Sequence, residues 1–310
     1  MIVSEASLAA LLLTNRLVDV AAKPLSAGEY WALIGQVPDP GVLHDLNAPA
    51  VAELLGGDDV EAQRIMTLLA ATTAFAYERE RLEEEGVSLL STFDPAFPAR
   101  LIHRLGTTCP AFLTVAGPVE WLSAGGLGVV GSRDASPAAL EVARSAAQVA
   151  VDASVPLVSG LARGIDQESM AGALNGRGAV VGVPAEGLRV AARSPEVRRR
   201  VHGGELCIAS PYAPGMRFTA GNAMGRNKIV YGLADVTLVV CSDNGSGGTW
   251  EGAKEALRRG FGPVAVWTGD GDGPGNAALL ELGGASITDV HNVFEVTERP
   301  NEPRVQGSLF

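Results

Sequence analysis

The sequence predicts an α/β fold, with a doubly wound, mostly parallel sheet preceded by a helical domain. From residue 126 onward, short continuous apolar segments alternate with segments of helical periodicity. Continuous apolar strands are typical of a parallel sheet that helices cover on both faces. Several of these segments end in glycine-rich turns, whereas the residues before 86 carry helical patterns.

The N-terminal helical domain is predicted to span 1–85. Ser26 and Glu29 have the spacing of a capping box, in which each side chain accepts a hydrogen bond from the other residue's backbone N–H. Further helices are predicted at 51–55 and 65–77, the second continuing through a charged run to Glu85. A connecting segment follows at 86–125, with a strand at 87–91 and an extended piece at 110–115.

The main domain is predicted to span 126–296, with helices and strands in alternation. The predicted strands are 127–130, 156–159, 179–183, 206–209, 236–241 and 263–267. The predicted helices are 137–152, 167–174, 195–202, 222–232, 250–259 and 276–282. A flexible tail, rich in proline and polar residues, is predicted at 297–310.

Composition excludes several classes of protein. The chain has 310 residues and a net charge of −11, which argues against a general polyanion binder, although basic residues outnumber acidic ones between 126 and 235. Glu5 precedes the first apolar run, and no apolar stretch is long enough to span a membrane, so we expect a cytoplasmic protein. The three cysteines have neither disulfide nor metal-ligand spacing.

Three small-residue turns are the candidate phosphate-binding elements, because glycine lets backbone N–H groups approach an anion and each turn precedes a helix N-terminus. Parallel strands end at one edge of the sheet, so the turns are expected to converge there. Their residues are Gly131, Ser132 and Arg133; Ser159, Gly160, Leu161, Ala162, Arg163 and Gly164; and Gly247, Gly248 and Thr249. Asp166 is expected to cap the helix after the second turn.

A further block adds an aromatic ring and two cations. Arg226, Asn227 and Lys228 are predicted DNA- or phosphate-binding residues, with Arg226 and Lys228 as the charged phosphate ligands. Phe218 has the chemistry to stack on a base, with simple core packing as the other interpretation. The four histidines are scattered and lack a nucleophilic partner, so we expect no catalytic site, no metal and no cofactor.

These blocks resemble the DNA-processing protein A family, DprA or Smf. The resemblance covers about 80–268 and rests on the Asp94-Pro95 segment, on the turns at 129–133 and 159–166, and on the block 226–233. It implies an extended Rossmann-like fold, single-stranded DNA binding in recombination, repair or uptake, a homodimer, and RecA as a partner. It also implies that Arg133, Arg163, Arg226 and Lys228 hold phosphates.

The sequence departs from this family at several points, and two other functions stay open. No C-terminal winged helix is expected, so this is predicted to be a divergent member. The turn at 247–249, followed by Glu251, also resembles the LOG group of nucleoside-monophosphate-cleaving enzymes, which implies a nucleotide sensor or enzyme. The third possibility is a protein adaptor with a vestigial DNA pocket.

The last five residues resemble the pentapeptide by which bacterial proteins dock on the replicative sliding clamp. Leu309 and Phe310 are apolar anchors that can fill a pocket on a partner, and Gln306 can fix the register by hydrogen bonds. The sequence therefore predicts the sliding clamp as a partner, bound through Gln306, Leu309 and Phe310.

Overall fold

A computed structural model describes residues 4–297, and within them nine strands form one sheet. The strands are β1 (Ser88–Ser91), β2 (Phe112–Ala116), β3 (Leu127–Val130), β4 (Leu157–Ser159), β5 (Val180–Gly182), β6 (Leu206–Ser210), β7 (Val236–Val239), β8 (Val264–Trp267) and β9 (Ala285–Ile287). Their spatial order is β1-β2-β6-β5-β4-β3-β7-β8-β9. β2 pairs antiparallel with β1 and β6, and the other pairs are parallel.

The central strand β3 is where the strand order reverses. The chain passes from β3 to β4 on one side, and β7 later pairs with β3 on the other side. Ligands of open α/β sheets bind outside the carboxyl ends of the strands at such a switch point. The topology therefore directs attention to the ends of β3, β4 and β7.

Helices cover both faces of the sheet and also form the N-terminal region. They are α1 (Glu5–Thr14), α2 (Ala27–Gln36), α3 (Ala48–Leu54), α4 (Asp59–Leu69), α5 (Thr72–Glu84), α6 (Ala99–Leu105), α7 (Trp121–Ala124), α8 (Pro137–Asp152), α9 (Ile165–Asn175), α10 (Leu188–Ala191), α11 (Pro195–His202), α12 (Ala220–Leu233), α13 (Gly247–Arg259) and α14 (Asn276–Glu281). Short 3₁₀ turns lie at Pro40–Asp45, Gly106–Thr108 and Val290–Glu295.

The strand side chains alternate between two hydrophobic cores. On β3, Val129 belongs to the core that α8 and α9 cover, whereas Val130 belongs to the core that α6, α12 and α13 cover. Leu238 and Val239 of β7 divide in the same way. This alternation confirms the doubly wound sheet that the continuous apolar segments predicted.

The N-terminal helices enclose a third core, to which Phe112 of β2 also belongs. The capping box of α2 is present: Ser26 Oγ accepts from Glu29 N, and Glu29 accepts from Ser26 N. The prediction of one helix through 65–77 is wrong, because the helix is interrupted between the end of α4 and the start of α5. There the Ala71 N–H donates to the Leu68 carbonyl in a tight turn, and the Thr72 hydroxyl donates to the Leu69 carbonyl. This local hydrogen bonding competes with the regular pattern of an α-helix.

The segment predicted as a connection supplies two strands of the sheet, β1 and β2. The three-residue strand β9 was not predicted, because it is short and only Ile287 is buried. None of the helices within 4–297 has the length and apolar character required to cross a membrane.

Candidate nucleic-acid interface

The three predicted turns converge on one pocket at the carboxyl ends of β3, β4 and β7. We call this the phosphate pocket; it has a volume of about 510 Å³. Residues from all three turns line it: Gly131, Ser132, Arg133, Ala162, Gly247, Gly248 and Thr249, together with Phe218, Arg226 and Asn227 of the fourth block. The sequence prediction that these blocks meet in space is therefore confirmed for these residues.

Two glycines let the first and second turns approach each other. A Cβ on Gly131 would lie 2.5 Å from Ile165, and one on Gly164 would overlap the carbonyl oxygen of Ser132. The φ of Gly164 is +76°, a conformation that favours glycine. The Ile165 N–H donates to the Ser132 carbonyl at 3.3 Å, which joins the two turns directly.

A buried ion pair forms the floor of the pocket. Arg226 of α12 and Asp166 of α9 have 4% and 5% exposure, and Arg226 Nη2 lies 3.8 Å from Asp166 Oδ2. Burial lowers the pKa of Arg226, whereas the charge of Asp166 raises it. A Cβ on Gly160 would overlap the Arg226 guanidinium, so glycine is what lets this arginine lie against the second turn.

Asp166 does not cap α9, contrary to the prediction. The N-cap position is Gly164, and Asp166 lies within the first helical turn. Burial raises the pKa of Asp166, and the opposing effects come from Arg226 and from backbone hydrogen bonds with Ala162 and Gly160. The backbone N–H groups of this turn therefore favour the charged form of the buried carboxylate, although the sequence had suggested the turn for a bound phosphate.

Two buried polar atoms of the pocket lack a partner among the described residues. They are Nε of Arg226 and the hydroxyl oxygen of Tyr231, and both residues line the cavity. Leaving a buried donor unpaired costs about 1–3 kcal/mol. Both atoms are buried, so an acceptor in the pocket could pair with them only after neighbouring side chains move.

The rim of the pocket combines a cation with exposed apolar groups. The Arg133 guanidinium carbon lies 5.6 Å from the centre of the Phe218 ring. Phe218 and Met224 are 49% and 50% exposed, so core packing does not explain Phe218. Arg133 also lowers the pKa of Arg226 by charge repulsion, which indicates that the two guanidinium groups converge on the pocket.

The third turn contributes the N-terminus of α13. Ser246 at its N-cap makes no side-chain cap hydrogen bond, and Gly247, Gly248 and Thr249 border the cavity. Asn227 Nδ2 donates to the Gly248 carbonyl at 2.8 Å, which ties α12 to this turn. The partial positive charge of a helix N-terminus favours an anion here.

Other predicted residues lie away from the pocket. Lys228 Nζ donates to the Thr108 carbonyl at 2.7 Å, and this lysine lines a different cavity. Arg163 is 74% exposed and pairs with Asp134 at 3.4 Å. Ser159 is fully buried, and its hydroxyl donates to the Val129 carbonyl. Leu161 holds a left-handed φ of +58° in the second turn.

Sequence reasoning missed several residues that line the phosphate pocket. Met224 and Tyr231 lie on the same face of α12 as the predicted Asn227, and this i, i+3, i+7 spacing was a signal in the sequence. Four carboxylates also line the pocket and give it a mixed charge: Asp166 and Glu251, which the sequence had drawn attention to, and Asp134 and Asp243, which it had not. No cluster of metal-ligating side chains occurs in the part of the chain described.

A doubly wound sheet with a pocket at its switch point defines a protein of Rossmann-like fold. More specifically, the model of the DNA recombination-mediator protein A family matches residues 88–298, and the chain belongs to that family. The resemblance stated from the motifs is thereby confirmed.

Individual relatives agree with this assignment. The DNA processing protein DprA of Streptococcus pneumoniae is 29% identical over 191 residues, which cover 60% of this chain and 66% of that protein. The matches with curated relatives span 41% and 66% of their lengths, which is less than two thirds.

Two solved structures share the fold. The X-ray structure of DprA from Streptococcus pneumoniae has a TM-score of 0.69 at 23% identity, and the match covers 87% of this chain and 93% of that one. DNA processing protein A from Helicobacter pylori, described for its single-stranded DNA binding mode, has a TM-score of 0.55 at 20% identity. That match covers 67% and 94% of the two chains.

Proposed function

We propose that the phosphate pocket binds single-stranded DNA without cleaving it, as one step of DNA recombination, repair or uptake. The observation that carries the proposal is the convergence of Arg133, Phe218 and the N-terminus of α13 on one pocket, with the Arg133 guanidinium 5.6 Å from the centre of the Phe218 ring. Family membership and the single-stranded DNA binding described for the Helicobacter pylori protein support the same function.

Each part of the pocket has a role in this proposal. Arg133 has the charge and planar fork to hold a backbone phosphate in two hydrogen bonds. The exposed N-terminus of α13 and the buried Arg226 add positive potential. Phe218 offers a face for a base, which is a sequence-tolerant contact worth about 1–3 kcal/mol. Backbone phosphates and base faces are common to all single strands, so little sequence preference is expected.

Replacement of Arg133 by alanine is expected to weaken binding of single-stranded DNA at least tenfold, because one charge-assisted phosphate contact and the contact with Phe218 are lost. Fluorescence anisotropy of a labelled oligonucleotide over a salt series measures this. Arg258→Ala is the matched control, since it removes an exposed arginine that does not line the pocket. Equal loss in both variants would point to nonspecific electrostatics, and no wild-type binding at low salt would refute the proposal.

The acidic lining favours a second candidate, a nucleotide sensor or nucleotide-cleaving enzyme. Asp243 and Glu251 face the same cavity as Arg133, and carboxylates accept hydrogen bonds from base amino groups or ribose hydroxyls. Glu251 lies 3.6 Å from Lys254, which occupies one of its oxygens. Release of base from nucleoside monophosphates by the purified protein, abolished in Glu251→Gln, would favour this candidate over DNA binding.

The proposal extends to protein partners. We propose a homodimer and contact with RecA, as the family resemblance implies. Sedimentation of the purified chain tests the dimer, and binding of RecA to immobilised protein in the presence of single-stranded DNA tests the second contact. A monomer at all concentrations would refute the homodimer. Failure to retain RecA would refute the contact with RecA. The adaptor alternative would require clamp binding without any binding of DNA or nucleotide.

The clamp peptide at 306–310 lies outside the described residues and stays a sequence-based prediction. Deletion of 306–310 is expected to abolish retention on immobilised sliding clamp while DNA binding is unchanged, because the anchors Leu309 and Phe310 are removed. Leu309→Ala/Phe310→Ala is the second variant, which keeps the tail length. Equal clamp binding by all three proteins would refute the prediction.

A further inference from the structure

A second cavity lies between the N-terminal helices and the main domain, and it has the chemistry of an anion site. We call it the Arg16 cavity. It has a volume of about 400 Å³, and its basic residues are Arg16, which follows α1, and Lys228 of α12. Among the described residues that line it, none is acidic. The phosphate pocket, in contrast, has four carboxylates in its lining.

The walls of the Arg16 cavity are mainly apolar. Leu25 and Phe112 are buried, and Met216 and Tyr212 also line the space. The Tyr212 hydroxyl donates to the Asn222 carbonyl at 2.6 Å, so the ring is held in place. Ligand sites are typically concave and apolar with a few polar groups, and this cavity lies within their usual range of size.

The two cations of the cavity, Arg16 and Lys228, have fewer hydrogen-bond and ion-pair partners than their N–H groups can take. Arg16 is exposed and has no hydrogen-bond or ion-pair partner within 4–297. Lys228 donates to one carbonyl, that of Thr108, although an ammonium group has three N–H donors. Burial lowers the pKa of Lys228, while Glu255 and Arg259 of α13 act on it in opposite directions. An anion in this cavity would therefore stabilise the charged form of Lys228.

The cavity adjoins the phosphate pocket across a single helix. Ala223, Asn227 and Tyr231 of α12 line the phosphate pocket, whereas Asn222, Gly225 and Lys228 line the Arg16 cavity. Both cavities reach the first turn of α12, directly after Phe218. A strand that leaves the phosphate pocket past Phe218 can pass the start of α12 and enter the Arg16 cavity.

We propose that the Arg16 cavity is a second nucleotide site, in which Arg16 and Lys228 meet a phosphate and the apolar walls meet a base. The nucleotide belongs to the strand held in the phosphate pocket, so the N-terminal region contributes directly to DNA binding. The assignment of the nucleotide to the bound DNA strand rests on the proposed function. A free mononucleotide carries the same chemistry, and the experiment separates the two sources.

The first measurement is anisotropy with labelled thymidine oligonucleotides of four and sixteen nucleotides. Arg16→Ala is expected to leave the short oligonucleotide unaffected and to weaken the long one about two- to fivefold, the range of an exposed ion pair. The slope of log K against log salt for the long oligonucleotide is expected to become less negative by about 0.7, the value for one phosphate on a single strand. Lys23→Ala is the matched control, because Lys23 is also an exposed N-terminal cation but does not line this cavity.

The second measurement titrates thymidine monophosphate against the wild type, Arg16→Ala and Arg133→Ala. Binding that is lost in Arg16→Ala and kept in Arg133→Ala, with an unchanged salt slope for the long strand, would support the site with a free nucleotide as its occupant. Lys228→Met, checked for wild-type unfolding, is the second variant and is expected to behave as Arg16→Ala. No effect of either variant on the long strand or on the mononucleotide would overturn the inference.

The two proposals fail in different ways. If the wild type binds no oligonucleotide of either length at low salt, the proposed function fails, and the mononucleotide titration alone decides the Arg16 cavity. If Arg133→Ala reduces binding of both lengths while Arg16→Ala equals Lys23→Ala throughout, the phosphate pocket stands and the second site is refuted.

Discussion

Gly160 shows how a missing side chain determines the position of a charged one. A Cβ at this position would overlap the guanidinium of Arg226, which in turn lies beside the buried Asp166. The φ of Gly160 lies outside the left-handed range, so the available space and not the backbone conformation demands glycine. The buried pair and the second turn therefore depend on each other.

Gly160→Ala is expected to lower the free energy of unfolding by about 3 kcal/mol, since it displaces Arg226 and leaves Asp166 buried without its counter-charge. Urea unfolding followed by circular dichroism measures the change. Gly28→Ala is the control: a Cβ there meets no atom within 4 Å, and alanine in α2 is expected to be neutral or to stabilise by less than about 1 kcal/mol. Equal stability of Gly160→Ala and the wild type would show that Arg226 can move without cost.

Arg226 and Lys228 also show a limit of reasoning from motifs. The sequence assigned both to phosphate, yet residues two positions apart on a helix point about 200° apart and cannot face one site. Arg226 enters the floor of the phosphate pocket, and Lys228 lines the Arg16 cavity. The helix at 222–232 was itself predicted, so its periodicity already indicated that Arg226 and Lys228 lie on different faces.

The capping box makes the stability of the N-terminus of α2 depend on pH. Glu29 accepts from the Ser26 N–H at 2.6 Å and pairs with Arg64 at 2.9 Å. The hydrogen bond from Arg64 and those with Ser26 lower the pKa of Glu29 from 4.5 to about 2. A depressed carboxyl pKa contributes stability above pH 4.5, which is lost as the pH falls toward 2.

Glu29→Gln is expected to flatten the pH dependence of unfolding between pH 4.5 and about 2, because the group that takes up a proton in this window is removed. Glu29 is 40% exposed, so solvent screening keeps the effect small. Unfolding midpoints in urea at several pH values measure it. Glu53→Gln is the matched control, an exposed carboxylate of α3 that makes no hydrogen bond or ion pair with a described residue. This account would be contradicted if the unfolding midpoint still fell steeply at acid pH in Glu29→Gln and no longer did so in Glu53→Gln.

The whole molecule joins parts that the sequence treated as separate. The strand–helix alternation after 126 was predictable because each apolar run is bounded by glycine or by a helix cap. The pairing of β1 with β2 and of β2 with β6 was not, since an antiparallel strand carries no signal for its distant partner. The contacts of the N-terminal helices were equally hidden, because their partners lie more than 60 residues away along the chain.

Four side-chain hydrogen bonds tie the N-terminal helices to the edge of the sheet and the loop beside it, and one of them runs from the Ser91 hydroxyl of β1 to the Ser7 hydroxyl of α1 at 2.9 Å. The Ser7 hydroxyl donates to Asp94 at 2.9 Å, the hydroxyls of Tyr30 and Thr92 lie 2.5 Å apart, and Trp31 Nε1 donates to the Cys109 carbonyl at 2.8 Å. The N-terminal core also includes Phe112 of β2. Since this core is completed by a strand of the sheet, the two parts are expected to unfold together.

Unfolding of the wild type is therefore expected to be a single cooperative transition. Tryptophan fluorescence and far-ultraviolet circular dichroism should give coincident urea midpoints. Asp94→Ala is expected to separate the midpoints, because Asp94 accepts both the Ser7 hydroxyl and the Ser91 N–H at 2.6 Å, and its loss leaves the hydrogen bond from the Ser91 hydroxyl to the Ser7 hydroxyl without its carboxylate anchor. Asp59→Ala is the control, an exposed carboxylate at the start of α4 that makes no such link. Two resolved transitions in the wild type would show that the N-terminal helices fold independently, and the Arg16 cavity would then open and close with their docking.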